Sequence, residues 1–250
     1  MESGDRYIVR VDGNQAIVGY KKARAELSGA ISVKWQPIDR LGMSITLREE
    51  MFGTDWSPII PAFFIDGILW PRINLTAKAS VSRNFRFPSL NDLYFQPGGN
   101  PDLKKESGWT YDAGLTFKMG REELYELSGG ITWFDSYVKD WIIWLPTTKG
   151  FFSPKNIKDV HAYGVELNAN TTFYWAKHWS LSLNGTFSWT PSINNGEPMS
   201  PADQSIGKQL PYVPLYSASV NGKITYKTFS FMYKWCYYSK RHTMSSNDIS

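Results

Sequence analysis

The residues that could do chemistry in this sequence are few, and their spacing favours recognition over catalysis. The three histidines, His161, His178 and His242, are far apart and show no metal-ligand spacing. Cys236 is the only cysteine, so an internal disulfide is excluded. The sequence therefore predicts no catalytic residue, metal site or cofactor, and an enzyme is not expected.

Two regions rich in aromatic and amide side chains could instead bind a small molecule. One covers residues 86–96, and the other covers residues 141–152. Stacking surfaces and polar groups on loops held by a rigid scaffold are typical of binding sites. The candidate ligand-binding residues are Arg86, Asn91, Asp92, Tyr94, Phe95, Gln96, Trp144 and Phe151. For each of them, packing within the loop or membership of an aromatic belt is the competing interpretation.

The segments that would position these loops alternate between apolar and polar residues. Between Trp179 and Trp189 every second residue is apolar or glycine, and Ser, Asn or Thr lies between them. Ten such strands are predicted, over 23–35, 41–51, 59–68, 72–83, 109–118, 125–138, 162–173, 179–189, 215–226 and 229–237. Short turns alternate with long connections, and long loops are predicted over 84–106, 140–159 and 191–209.

Strands with one apolar face and aromatic ends are typical of proteins that cross a membrane as a closed barrel. The predicted fold class is all-β, an antiparallel up-and-down transmembrane β-barrel segment with short periplasmic turns and long extracellular loops. The predicted membrane-interface anchors are Trp35, Trp109, Trp179 and Trp189. The residues expected on the polar lumen face include Arg24, Glu26, Lys34, Arg48, Lys78, Asp112 and Glu166.

Composition excludes several other classes of protein. The longest purely apolar run, Trp141 to Leu145, is far shorter than the ~18 residues of a membrane helix. The net charge of +4 is small and scattered, so nucleic acid is not an expected partner. The first six residues contain no apolar segment of a signal peptide. Since an outer-membrane protein must be exported, the chain is expected to lack its true beginning.

Several short motifs follow one another between the predicted strands. The first three are Phe85 to Pro88, Leu90 to Tyr94, and Asn100 to Lys104 followed by Glu106. Tyr163 to Leu167 and Leu210 to Pro214 each open a later strand. In this order and spacing, the motifs resemble those of TonB-dependent outer-membrane receptors. The resemblance covers most of residues 23–240.

The resemblance implies that residues 1–250 are part of one receptor β-barrel domain, without the plug domain and the remaining strands. Such a receptor takes up a scarce nutrient, such as a siderophore or cobalamin, across the bacterial outer membrane. The implied partners are outer-membrane lipid, the receptor's own N-terminal plug, the TonB complex acting through that plug, the nutrient and a surface lipoprotein. Haem receptors of this family carry a histidine between the first and third motifs. None lies between Pro88 and Asn100, which disfavours haem.

Two other interpretations of the alternating strands stay open from the sequence. A complete ten-stranded outer-membrane barrel, such as a surface protease or adhesin, would need carboxylates and histidines at one mouth, together with a signal peptide. A soluble β-sandwich or propeller that acts as a binding module would bury its tryptophans. Strands of soluble sheets are usually only about five or six residues long. The longer alternating segments of this chain therefore favour the membrane barrel.

Overall fold

The computed structural model describes residues 2–12, 15–176, 178–196, 198, 203–244 and 246–247, and most of them lie in strands. In chain order the strands are β1 (Glu2–Asp12), β2 (Gln15–Arg24), β3 (Glu26–Ile38), β4 (Leu41–Phe52), β5 (Asp55–Trp56), β6 (Ile60–Trp70), β7 (Leu75–Arg86), β8 (Glu106–Arg121), β9 (Tyr125–Pro146), β10 (Phe152–Trp175), β11 (Trp179–Trp189), β12 (Ser192–Asn194), β13 (Tyr216–Tyr226) and β14 (Phe229–Tyr238). A 3-10 turn spans Pro71–Ile73, and one short helix, α1, spans Leu90–Tyr94. In this part of the chain, no helix has both the length and the apolar character to cross a membrane.

Each long strand of the main sheet pairs antiparallel with the next long strand along the chain. The order is β3-β4-β6-β7-β8-β9-β10-β11-β13-β14, with short strands β5 and β12 attached to β4 and β10. The hairpin of β1 and β2 is a separate two-stranded sheet. All ten predicted strands and the up-and-down topology are confirmed. The sheet is open, because β3 and β14 each lack a second partner strand among the described residues.

The sheet carries apolar side chains on one face and polar side chains on the other. Leu115 and Leu183, on the apolar face, are 42% and 37% exposed. Hydroxyl pairs such as Ser32–Thr46 and Thr186–Ser219 cross between strands on the polar face. Exposed apolar side chains along a whole sheet are unfavourable in water and suit a surface that contacts lipid. The soluble sandwich and propeller interpretations are therefore wrong.

The predicted loop over 140–159 is wrong, since most of it continues strands β9 and β10. The two strands pair from Asp159–Lys139 to Phe152–Pro146, with residue 158 as the single gap. Residues 147–151 remain as the turn. Trp141 and Ile143 pack against the buried pair of Val160 and Leu210. This packing with the 190–215 connection stabilises strands where the composition favoured a loop.

Other details of the sequence prediction also differ from the structure. The strand expected from residue 23 begins at Glu26, because the chain up to Arg24 belongs to the unpredicted hairpin β1–β2. The strand expected from residue 72 begins at Leu75, because Pro71 starts the 3-10 turn and Asn74 has a left-handed backbone (φ 44°). The predicted loops over 84–106 and 191–209 contain α1 and β12.

The predicted membrane anchors lie near the two ends of the strands. Trp35 and Trp179 are next to short turns, whereas Trp109 and Trp189 are next to long connections. Trp179 packs against Trp175 and Tyr226, with ring centroids 5.9 and 4.6 Å away. Ten steps from Trp179 to Trp189, at about 3.3 Å each and tilted by about 40°, span roughly 25 Å. This height equals that of a typical apolar band, so the anchor role stays a prediction that the geometry supports.

A charge on the apolar face is expected to block assembly into the membrane. Leu115→Arg places a guanidinium at mid-height of the wall, at a cost of about 2–4 kcal/mol. Its matched control is Thr116→Arg, one residue away on the polar face. We expect heat-modifiable migration on gels and detergent-resistant folding to be lost for Leu115→Arg and kept for Thr116→Arg. Equal assembly of both variants would contradict the assignment of the faces.

Candidate functional site

A cluster of five side chains joins the long-loop ends of β7, β8 and β9. We call this cluster the loop clip, and its members are Arg86, Ser89, Asp92, Glu106 and Trp144. Arg86 ends β7 and Glu106 begins β8, where the two residues pair in register. Trp144 lies on the extension of β9, and the other two residues belong to the loop that contains α1. The clip therefore forms where the sheet passes into the connections.

Helix α1 begins with a capping box that builds half of the clip. The Asp92 amide donates to Ser89 Oγ (3.1 Å), and the Ser89 amide donates to Asp92 Oδ2 (3.0 Å). Ser89 Oγ also donates to Asp92 Oδ2 (2.8 Å). These bonds hold the Asp92 carboxylate at the start of the helix, turned toward the strands.

The second half of the clip is one cation shared by two buried acids. Arg86 Nη2 donates to Asp92 Oδ2 (3.1 Å), and Arg86 Nη1 donates to Glu106 Oε1 (3.0 Å). Asp92 and Glu106 are only 5% and 6% exposed. Trp144 Nε1 donates to Asp92 Oδ1 (2.9 Å), and the Ile142 amide donates to Glu106 Oε1 (2.7 Å). Each buried carboxylate thus has the several donors that burial of a charge requires.

The two acids of the clip have opposite pKa shifts. Burial raises the pKa of Asp92, but hydrogen bonds from Ser89 and Trp144 and the charge of Arg86 together bring it below its ordinary value. For Glu106, which lies on the loop side of Trp109, burial outweighs the Ile142 hydrogen bond and the Arg86 charge. The pKa of Glu106 is therefore raised. Asp92 is the acid that holds its negative charge most firmly.

Further hydrogen bonds attach the same loop along the hairpin of β9 and β10. Ser153 Oγ donates to the Gly98 carbonyl (2.7 Å), and Asn100 Nδ2 donates to the Pro154 carbonyl (3.2 Å). Asn156 receives a bond from the Lys104 amide (2.9 Å) and donates one to the Lys104 carbonyl (3.1 Å). Gly98 is required here, because its φ is +144° and an added Cβ would collide with the Phe152 carbonyl. Loop and hairpin form one ordered unit.

The opposite side of the loop rests on the end of β4 and on the end of β2. The buried ring of Phe87 stacks on Phe52, with centroids 4.4 Å apart, and meets the edge of Phe85 at 5.1 Å. Lys105 Nζ lies 4.6 Å from the centroid of the Phe87 ring. Arg24 Nη1 donates to the Pro88 carbonyl (2.9 Å). The loop therefore connects the two sides of the mouth.

The structure separates the predicted ligand-binding residues into three groups. Arg86, Asp92 and Trp144 bond to one another in the clip. Tyr94 lies under the ammonium group of Lys22 (4.6 Å), and Phe151 faces Gly98. Asn91, Phe95 and Gln96 are exposed, and Phe95 meets the Trp144 ring edge-on at 5.7 Å. These three side chains form an accessible surface at and just after α1, which we call the α1 surface.

Ser89 and Glu106 are the two members of the clip that the sequence candidates did not include. Glu106 is the charged one. It was visible as the last residue of the third motif, and its position opposite Arg86 could have been found from the strand register. Three of the predicted lumen residues form ion pairs with residues two positions away: Arg24 at the end of β2 with Glu26 at the start of β3 (2.9 Å), and Arg48 with Glu50 on β4 (3.2 Å). Within the described residues, no group of three or more His, Cys, Asp or Glu side chains could hold a metal ion.

Known proteins with this sequence pattern and fold are transporters and receptors. The family described as "TonB dependent receptor-like, beta-barrel" matches residues 5–249. A protein named vitamin B12 transporter BtuB, from Photobacterium profundum, is 34% identical over 104 residues, which cover 38% of this chain and 16% of that protein.

Solved structures show the same fold at lower identity. The copper transporter OprC superposes with a TM-score of 0.65 at 16% identity, over 87% of this chain and 35% of OprC. The siderophore receptor PirA from Pseudomonas aeruginosa gives 0.59 at 14% identity, over 95% of this chain and 45% of PirA. The chain thus spans less than half the length of each of these proteins. Their names agree with the prediction that this chain is not an enzyme.

Removal of the Asp92 charge is expected to loosen the loop. Asp92→Asn leaves Trp144 without a charged acceptor and Arg86 with only Glu106, which should lower the local stability of residues 87–105 by about 2 kcal/mol. Amide hydrogen exchange of these residues in the folded receptor measures the change. Asp102→Asn, on the exposed part of the same loop, is the control and should leave exchange unchanged. Equal exchange in both variants would contradict the clip.

Mild acid is expected to leave the clip intact down to about pH 5. Since the pKa of Asp92 is lowered, its contribution to stability is present above the ordinary aspartate pKa and is lost as the pH falls through the lowered value. The pKa of Glu106 is shifted in the opposite direction. Its contribution to stability is therefore present at low pH and is lost as the pH rises. Protease cleavage within residues 87–105, followed against pH, measures this. Early loss of protection, between neutral pH and about pH 5, would contradict the assignment.

Proposed function

The chain belongs to the TonB-dependent receptor β-barrel family, whose members are bacterial outer-membrane proteins, and from this premise we propose that it forms part of the wall and mouth of a nutrient importer. The observation that carries the proposal is the loop clip. It fixes an extended loop over the end of a membrane wall and presents the α1 surface to the outside. Ordered loops on a rigid barrel are the usual way to build a selective binding surface.

The proposed partners follow from the two faces of the wall. The apolar face contacts outer-membrane lipid, and the aromatic ends of the strands lie at the headgroup level. The polar face is turned to the lumen, where a plug domain would fill the barrel and connect the receptor to the TonB complex. Charged lumen residues such as Lys34, Lys78 and Glu166 are exposed in this chain and would find partners on the plug.

The chemistry of the α1 surface favours an uncharged nutrient. The Arg86 guanidinium is shared between Asp92 and Glu106, and Lys105 is paired with Asp55 at 3.0 Å. What the α1 surface offers is the Phe95 ring for stacking and the Asn91 and Gln96 amides for hydrogen bonds. A ligand with a flat apolar part and neutral polar groups suits this surface. Cobalamin is such a ligand. The relative that is 34% identical over 104 residues is named a vitamin B12 transporter. We therefore propose cobalamin as the first nutrient to test.

Cyanocobalamin binding by cells that carry the receptor tests this proposal. De-energised cells should bind labelled cyanocobalamin at the surface, and energised cells should import it in a TonB-dependent manner. Phe95→Ala combined with Gln96→Ala is expected to weaken surface binding about tenfold, through loss of one stacking contact and one hydrogen bond. Thr148→Ala, on the exposed turn between β9 and β10, is the control. Binding of a ferric siderophore in place of cyanocobalamin would refute the proposed ligand and keep the proposed class of transporter.

A further inference from the structure

The lumen face of the wall is divided into a charged part and a neutral part. Strands β3 to β8 carry charged residues of both signs on this face, including Lys34, Arg48, Asp66, Lys78 and Asp112. On β11, on β13 and on residues 165–175 of β10, which pair with β11, Ser, Thr and Asn occupy most lumen positions. Within these described segments, the charged lumen residues are Glu166 and Lys223, which lie toward opposite ends of the strands. A solute that moves along the wall thus meets two different surfaces.

Most hydroxyl groups of the neutral part are already paired across the strands. Thr172 bonds to Ser182 (3.1 Å), and Ser188 bonds to Ser217 (2.6 Å). Thr186 bonds to Ser219 at 2.8 Å in the same way. A hydroxyl engaged in this way has less capacity for another partner. These pairs therefore make a polar surface of low affinity.

Three asparagines interrupt this paired surface in a single row. Asn170 lies opposite Asn184 on the next strand, and Asn184 lies opposite Asn221 on the strand after that. Side chains directly opposite in an antiparallel sheet are about 5 Å apart at Cβ. Asn184 is the middle residue of β11, so the row crosses the wall halfway between the aromatic ends. We call these three residues the asparagine row.

The amide groups of the asparagine row have no partner in this part of the molecule. Among the described residues, no hydrogen bond reaches any of the three side chains, and Asn170 and Asn184 are exposed. Each amide keeps two donor hydrogens and an acceptor oxygen. Ser128 continues the row on one side, and Lys234 ends it on the other. The row therefore offers neutral donors and acceptors at regular intervals, and the exposed amide of Asn168 lies beside it on the same face of β10.

We propose that the asparagine row is a transit site for the imported nutrient, an uncharged molecule that bears amide or hydroxyl groups. This inference rests on the proposed function. A transported solute must bind strongly enough to enter and weakly enough to leave. Neutral hydrogen bonds that exchange with water meet this condition, because each contributes little net free energy. Ion pairs with the charged part of the lumen would instead hold a permanent partner such as the plug.

The test removes the three amides in the complete receptor and separates binding from passage. The variant carries Asn170→Ala, Asn184→Ala and Asn221→Ala. Its control carries Thr172→Val, Thr186→Val and Ser217→Ala, which removes one paired hydroxyl from each of the same three strands. Labelled cyanocobalamin is the probe. Surface binding is measured on de-energised cells, and the initial uptake rate is measured on energised cells.

We expect the asparagine variant to bind cyanocobalamin at the surface as the unchanged receptor does and to import it about fivefold more slowly, the effect of one typical hydrogen bond on a rate constant. The hydroxyl control should import at the normal rate. Normal uptake by the asparagine variant would overturn the inference. Entry of vancomycin into cells that carry the asparagine variant would also overturn it, because such a leak shows that the amides hold the plug in place. If the unchanged receptor neither binds nor imports cyanocobalamin, the proposed ligand is wrong, and so is a transit site for it. That outcome is visible from the unchanged receptor alone, without either variant.

Discussion

Backbone hydrogen bonding inside lipid is the constraint on which the rest of this structure depends. Water cannot reach the N–H and C=O groups of a strand in the hydrocarbon region, so every strand needs a neighbour on each side. Between its two edge strands, β3 and β14, the sheet meets this requirement by pairing each long strand with the next one along the sequence. Once the strand pairing is fixed in this way, the alternation of side chains determines the character of the two faces of the sheet. One face must be apolar to contact lipid, and the other is left for polar contacts in the lumen.

The same constraint explains why the mouth contains buried charges. Beyond the aromatic ends of the strands, the chain leaves the regular sheet, and its backbone groups need other partners. Side chains supply them: Glu106 accepts from the Ile142 amide, and Asn156 bonds to the backbone of Lys104 in both directions. Arg86 then neutralises the acids that this arrangement buries. A loop held in this way can present exposed side chains in a constant geometry, which a flexible connection could not do.

The strands could be predicted from the sequence because alternation is a local property. Each alternating segment reports which face meets lipid, whatever its neighbours are, and all ten long strands were found in this way. The extension of β9 and β10 could not be found, since it depends on the packing of Trp141 and Ile143 against Val160 and Leu210. Part of the clip could be recognised in the sequence. Ser89 and Asp92 show a capping pattern, but the contact between Asp92 and Trp144 joins residues 52 positions apart. Only the folded chain reveals that these candidates bind each other.

A wall that must both hold a plug and let a nutrient pass needs two kinds of polar surface. Charge pairs across an interface are directional and strong where water is excluded, so they suit a partner that stays in place. Paired hydroxyls and amides hold a solute weakly and without regard to its charge. The alternation that faces lipid imposes no choice between these surfaces, because it requires only that the lumen residues be polar. The separation of charged residues on β3 to β8 from neutral residues on β10, β11 and β13 is therefore not a consequence of the fold. It is a property that the function of the lumen has to explain.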